Sequence, residues 1–163
     1  MTGAPFNIAP WRAKLMPELS ELWVAAWTQA MPEINFEARR PWLCAHLEDL
    51  HARDYETRCA VAHDGAVAGF VTLLPQTGEL DQIAVAPGVG RRGVGHLLMN
   101  EARALSPGRI TLTVNQANGA ARRFYEREGF IVTGEGRNPL SGLPTLRMLW
   151  RVNPPPCGEG RPL

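Results

Sequence analysis

Sulfur and long apolar stretches are scarce in this chain. Three cysteines occur in 163 residues, Cys44, Cys59 and Cys157. Their spacing matches neither a disulfide framework nor a zinc site, and an odd count without a framework favours reduced thiols in the cytosol. Cys44 falls in a helical pattern and Cys59 in a strand pattern, so both read as small core residues. The four histidines, His46, His51, His63 and His96, are scattered, and none is expected to ligate a metal. No run long enough to span a bilayer and no signal-peptide pattern occurs, so the expected location is the cytoplasm. The formal net charge is only +1, which gives no electrostatic case for nucleic acid or a membrane as partner. No Gly-Lys-Ser/Thr triplet is present, which excludes a P-loop. Gly88-Val89-Gly90-Arg91-Arg92-Gly93 has the GxGxxG spacing. Its strand, however, sits far into the chain, and no second βαβ half with an acidic ribose partner is evident.

What is present suits one folded unit. Apolar residues make up 45% of the chain, ordinary for a soluble globular protein, and the length suffices for a sizeable core. Residues 1–152 are expected to form a single domain. Residues 153–163, rich in proline and glycine, are expected to be a disordered tail.

The stretch from Glu79 to Leu105 organises the rest. Residues 79–85 fit a half-buried strand anchored by Leu80, Ile83 and Val85, and Pro87-Gly88 end it. Val94, Leu97, Leu98, Ala102 and Leu105 then recur at the spacing of an amphipathic helix. Between them lies Arg91-Arg92-Gly93-Val94-Gly95. Glycines let the backbone approach a ligand closely. The first N–H groups of the helix and the two arginines suit a pyrophosphate or similar anion; an ordinary helix start with a solvated Arg pair has the same pattern.

Upstream, helices are predicted over 14–30 and 37–52, with Met31-Pro32 stopping the first. Trp11, Trp23, Trp27 and Trp42 all lie in this part, as core packing or as walls of an acceptor pocket. Residues 57–63 and 66–74 form a hairpin about Asp64-Gly65, with Gly69 a bulge or close approach. Downstream come a strand at 110–114, a helix at 117–128 burying Ala117, Ala121 and Phe124, and a final hairpin about 138–142. The order gives a mixed α/β sheet.

Two segments together are more specific than either alone. Asn118, Ala121, Tyr125, Glu126, Gly129 and Phe130 follow in order after the 110–114 strand, and Gly93 and Gly95 follow the 79–85 strand. This pairing resembles the GNAT superfamily of N-acetyltransferases over roughly residues 55–150. The Gln/Arg position of that family's first signature is Gly90 here, with Arg91 and Arg92 beside it to supply charge. The resemblance implies a mostly antiparallel sheet, splayed between the strands at 79–85 and 110–114 and flanked by about four helices. Acetyl-CoA is implied as co-substrate, with no metal. Its pantetheine arm would pair with the backbone of Ile83, Ala84 and Val85 as an added strand does. Its pyrophosphate would sit on the N–H groups of Arg92, Gly93, Val94, Gly95 and His96, near Arg91. Asn118 would bond the cofactor, cap the following helix, or do both.

Transfer of an acetyl group to an amine poses two proton problems. An alkyl ammonium of pKa ~10.4 is neutral only about one time in a thousand at neutral pH, so a base is needed. The resemblance makes Tyr125 the donor to the departing thiolate. Glu79 and Asp81, which alternation puts on one strand face, are equal candidates for the base; ordered water alone is the other. The implied function is acetyl transfer to a primary amine of a small molecule or peptide, by direct attack in a ternary complex. A non-catalytic acyl-CoA-binding or sensing module is the alternative, and a homodimer is left open.

Overall fold

The structure is a computed structural model that describes residues 5–89 and 92–152. The stretch 153–163, expected to be disordered, lies outside the described residues, as do Gly90 and Arg91.

The described residues form seven strands and four α-helices. β1 (Phe6–Pro10) leads into α1 (Met16–Ala30) and α2 (Arg40–Ala52). Each of these helices carries a proline in its first turn, where no backbone N–H is needed. β2 (Glu56–Ala62), β3 (Val67–Leu74) and β4 (Glu79–Val85) form an antiparallel meander. α3 (Val94–Leu105), β5 (Arg109–Asn115), α4 (Gly119–Arg127), β6 (Ile131–Arg137) and β7 (Pro144–Arg151) complete the chain. The sheet order is β1-β2-β3-β4-β5-β7-β6.

Helices cover both faces. α1 and α2 bury Leu19, Trp23, Leu43 and Leu47 against Cys59, Phe70 and Ala84. α3 buries Val94, Leu98 and Met99 against Ala60, Val71, Leu73 and Leu80 on the opposite face. The strand side chains thus alternate between two cores, as the pleat requires.

Two irregularities interrupt that alternation. The β2–β3 register shifts opposite Gly69. A Cβ on Gly69 would lie 2.8 Å from the Ala84 carbonyl oxygen and 2.9 Å from Leu98 Cδ1. Gly69 is therefore both at a bulge and at a close approach of α3 to the sheet. The β3–β4 register shifts at Asp81, since Leu73 faces Leu80 while Thr72 faces Gln82. That extra residue lets Leu80, Ile83 and Val85 share the α3 face, which a strict period of two forbids.

The sheet parts in its middle. β4 and β5 run parallel and pair only at Glu79 and Thr111. Beyond that point β5 keeps full pairing with β7, from Arg109–Arg151 to Asn115–Thr145. The edge of β4 from Leu80 to Val85 is left facing an opening, and this is the splay the resemblance implied.

Local departures from expectation are few. The helix predicted at 117–128 begins at Gly119, because Asn118 caps it. Ala117 consequently lies outside the helix and is exposed rather than buried. Cys59 is fully buried, whereas Cys44 is only half-buried.

Candidate active site

A cavity of about 590 Å³ opens where β4 leaves β5. Ile83, Ala84 and Val85 form one wall with their unpaired strand edge, and Asn118, the cap of α4, and Tyr125 within it also line the cavity. Trp27 and Trp42 close the end toward α1 and α2. A side branch of about 100 Å³ continues there between Trp23, Trp27, Phe36 and Trp42. Of the tryptophans, Trp23 is a core residue at 4% exposure, while Trp42 is 38% exposed and walls the cavity.

The glycine-rich turn ends in an amide cluster. Gly93 caps α3 at φ +82°, a conformation that glycine adopts without strain. The first helical hydrogen bond runs from the Leu97 N–H to the Gly93 carbonyl at 2.9 Å. The N–H groups of Val94, Gly95 and His96 therefore have no helical acceptor. Arg92 N–H donates to the Val89 carbonyl at 3.0 Å, so the donor row starts after Arg92, one residue later than expected. The Arg92 guanidinium lies 5.2 Å from the centre of the Phe6 ring. Gly95 is needed for packing as well, since a Cβ there would lie 3.0 Å from Phe124 Cε1.

The His96 side chain is engaged away from the cavity. Its Nδ1 sits 2.9 Å from Glu128 Oε2, and Arg103 Nη2 donates to Glu128 Oε1 at 2.8 Å. This network ties α3 to the end of α4. Asn118 Oδ1 accepts from the Ala121 N–H at 3.2 Å, so the residue is an N-cap that also lines the cavity.

Tyr125 is buried between the edges of Phe124 and Phe130, with ring centres 5.4 and 5.7 Å away. No group among the described residues hydrogen-bonds its hydroxyl. Burial alone pushes its phenol far above the ordinary tyrosine range.

Glu79 and Asp81 project toward the same helical layer, yet their surroundings differ. Tyr55 O–H donates to Glu79 Oε2 at 2.7 Å. Burial, and then that bond, push the Tyr55 phenol up to about 12. Glu79 lines a smaller neighbouring cleft, and Asp81 lines both that cleft and the main cavity. Asp81 Oδ2 lies 2.7 Å from His46 Nε2 and accepts from Gln82 Nε2 at 3.2 Å. Gln82 in turn accepts from Trp23 Nε1 at 3.1 Å, and His46 stacks on Trp42 with ring centres 4.6 Å apart. His46, expected from the sequence only not to ligate a metal, lines this cavity. A signal was available: it lies on the buried stripe of Leu43, Leu47 and Leu50, where a titratable side chain needs a reason.

The model of the acetyltransferase (GNAT) family matches residues 14–130. This chain belongs to that family. The peptidyl-lysine N-acetyltransferase YiaC of Escherichia coli strain K12 is 30% identical over 141 residues, covering 84% of this chain and 91% of that protein. The peptidyl-lysine N-acetyltransferase YjaB of Salmonella typhimurium is 37% identical over 86 residues. That match covers 52% of this chain and little more than half of the relative, 57%. A PaiA N-acetyltransferase from Thermoplasma acidophilum, solved in complex with coenzyme A, has a TM-score of 0.75 at 18% identity. The superposition covers 93% of this chain and 100% of that one, and it shows a shared fold. The GNAT chain described here is thus an acyltransferase of the N-acetyltransferase type. No helix among its described residues is long and apolar enough to cross a membrane.

The donors in this GNAT chain fit an acyl-CoA. The open β4 edge offers amide and carbonyl groups to a chain that carries its own amides. The N–H groups at the start of α3, which have no helical acceptor among the described residues, suit phosphate, and a side chain is absent at Gly93 beside them.

Proposed function

We propose that this protein moves an acetyl group from acetyl-CoA to a primary amine of a small molecule or peptide, by direct attack in a ternary complex. The observation that carries this reading is the parting of β4 from β5 next to Tyr125. One cavity thereby contains an open strand edge, a phenol and an aromatic-walled end for a second substrate. Family membership supports it, as do relatives named peptidyl-lysine N-acetyltransferases.

When bound, acetyl-CoA supplies an activated acetyl thioester. Ile83, Ala84 and Val85 hold its pantetheine arm through their backbone. Val94, Gly95 and His96 hold its pyrophosphate, with Gly93 leaving room and Arg91 and Arg92 adding charge. Asn118, whose Oδ1 accepts from the Ala121 N–H, would hold the arm through its remaining Nδ2 donor. Tyr125 donates to the sulfur as the thiolate departs, and a hydrogen bond from a buried phenol to that developing charge is strong. Burial keeps the phenol protonated until then. At the other end Asp81 supplies the negative charge that draws a proton from the acceptor ammonium, with Glu79 behind it. Trp27 and Trp42 pack on the acceptor's apolar part.

The test is thiol release from acetyl-CoA against a panel of amines, amino acids and lysine peptides, with acetyl-CoA binding followed by calorimetry. Turnover with an amine is expected. Tight binding without turnover across a broad panel would favour the sensing module instead.

A further inference from the structure

We propose that His46, oriented by Asp81, is the group that takes the proton from the acceptor amine. This rests on the transferase reading above and adds a catalytic residue to it.

Asp81 Oδ2 is already engaged by His46 Nε2 at 2.7 Å and Gln82 Nε2 at 3.2 Å. An ionised carboxylate only accepts hydrogen bonds. The imidazole proton therefore sits on Nε2, and the basic lone pair is on Nδ1. Nδ1 has no partner among the described residues. The ring plane is fixed by the stack on Trp42, inclined by only 13°. Asp81 is fixed by Gln82, which Trp23 holds through Nε1. Side chains from α1, α2 and β4 thus combine to set one imidazole at the cavity wall.

Shelter and access are balanced there. The side chains of His46 and Asp81 are 23% and 21% exposed, and both line the main cavity. A sheltered ion pair is weak evidence for stability, because desolvation offsets much of the attraction. The other charged or titratable side chains lining the cavity are Glu135, Arg137, Arg147 and Tyr125, and none of them bonds His46. The pair instead resembles a working base: one group accepts the proton, and a carboxylate holds its tautomer and stabilises the cation that forms.

The proton balance is complete. His46 Nδ1 takes one proton from the ammonium, leaving an amine lone pair. The N–C bond forms and the C–S bond breaks. The Tyr125 proton goes to sulfur, and the second proton lost from nitrogen restores the phenol. His46 returns its proton to water, so one proton is released per turnover.

The experiment is the pH dependence of kcat/KM for the unaltered protein, His46→Gln and Asp81→Asn, using an amine found in the panel. Activity of the unaltered protein should fall on the acid side, as general base catalysis requires. His46→Gln should lower kcat by about 10²-fold, the low end for general base catalysis. It should also abolish the acidic limb while leaving the KM for acetyl-CoA unchanged. Asp81→Asn should displace the limb. In His46→Ala, added imidazole should restore turnover, a result that a structural role would not produce. The proposal is overturned by an unchanged limb and kcat in His46→Gln, by failure of imidazole rescue, or by a limb lost only in Asp81→Asn, which would make Asp81 itself the base. Absence of turnover by the unaltered protein with every amine would instead remove the parent function before any variant is compared.

Discussion

Leu80 and Gln82 stand two residues apart on β4 but on opposite faces of the sheet. Leu80 packs under α3, and Gln82 accepts from Trp23 on α1. Asp81 is the extra residue between them, and the shift it causes sets Asp81 and Gln82 side by side, 3.2 Å apart. Bulges re-aim side chains in this way next to functional sites. Here the device brings a carboxylate to the tryptophan-walled end of the cavity without removing Leu80 from the core.

Tyr125→Phe should lower turnover by ~10²-fold, the low end for general acid catalysis. Its ring environment of Phe124 and Phe130 is retained and no hydroxyl partner is lost, so thermal stability and acetyl-CoA binding should not change. Steady-state kinetics with calorimetry check this, and unchanged turnover would remove Tyr125 from the reaction.

Gly95→Ala should damage the glycine-rich turn at the start of α3. The new Cβ would lie 3.0 and 3.1 Å from two atoms of the Phe124 ring. Overpacking of this kind costs about 1–3 kcal/mol, and it would push α3 from α4 at the amide cluster. Calorimetry should find weaker acetyl-CoA binding together with a lower melting temperature.

Alkaline pH should destabilise the fold through its only two tyrosines, Tyr55 and Tyr125. Burial raises both phenols, Tyr55 to about 12, against ~10 in an unfolded chain. A raised pKa means that the folded state holds its proton longer. The stability from Tyr55 is therefore complete below about pH 10 and lost as pH rises toward 12. Near-ultraviolet absorbance should show no tyrosinate in the folded protein at pH 10. A phenol ionising there with the fold intact would contradict this.

Glu128→Ala should lower the melting temperature more than an exposed substitution does. The carboxylate is 10% exposed and joins Arg103 to His96. Arg103 Nε is already buried without a partner among the described residues, so removing Glu128 leaves a sheltered guanidinium less satisfied. Hydrogen bonds to charged groups are worth about 1.5–3 kcal/mol, and thermal unfolding should register a loss of that order. Double substitution with Arg103→Ala should add little further.

Most of the fold was legible because its signals are local. Periodicity located α1 and α3, Asp64-Gly65 located the first hairpin, and Asn118 with Tyr125 located α4. What escaped depends on register or on distant partners. The shift at Asp81 has no local mark, yet it decides which carboxylate reaches the main cavity. His46 acquires its meaning from Asp81, thirty-five positions away. The use of the Arg92 N–H by Val89 is a matter of turn geometry rather than residue type.

An open sheet ordinarily has two free edges, here β1 and β6. The parting of β4 from β5 creates another pair inside it, and free edges invite other strands. These inner ones are recessed between converging walls, so a strand from another protein meets the outer edges first. Their amides nonetheless face solvent until something fills the gap. In the free protein, Gln82 to Val85 should include amides that exchange hydrogen far faster than their neighbours facing β3, and a ligand lying along β4 should slow them selectively.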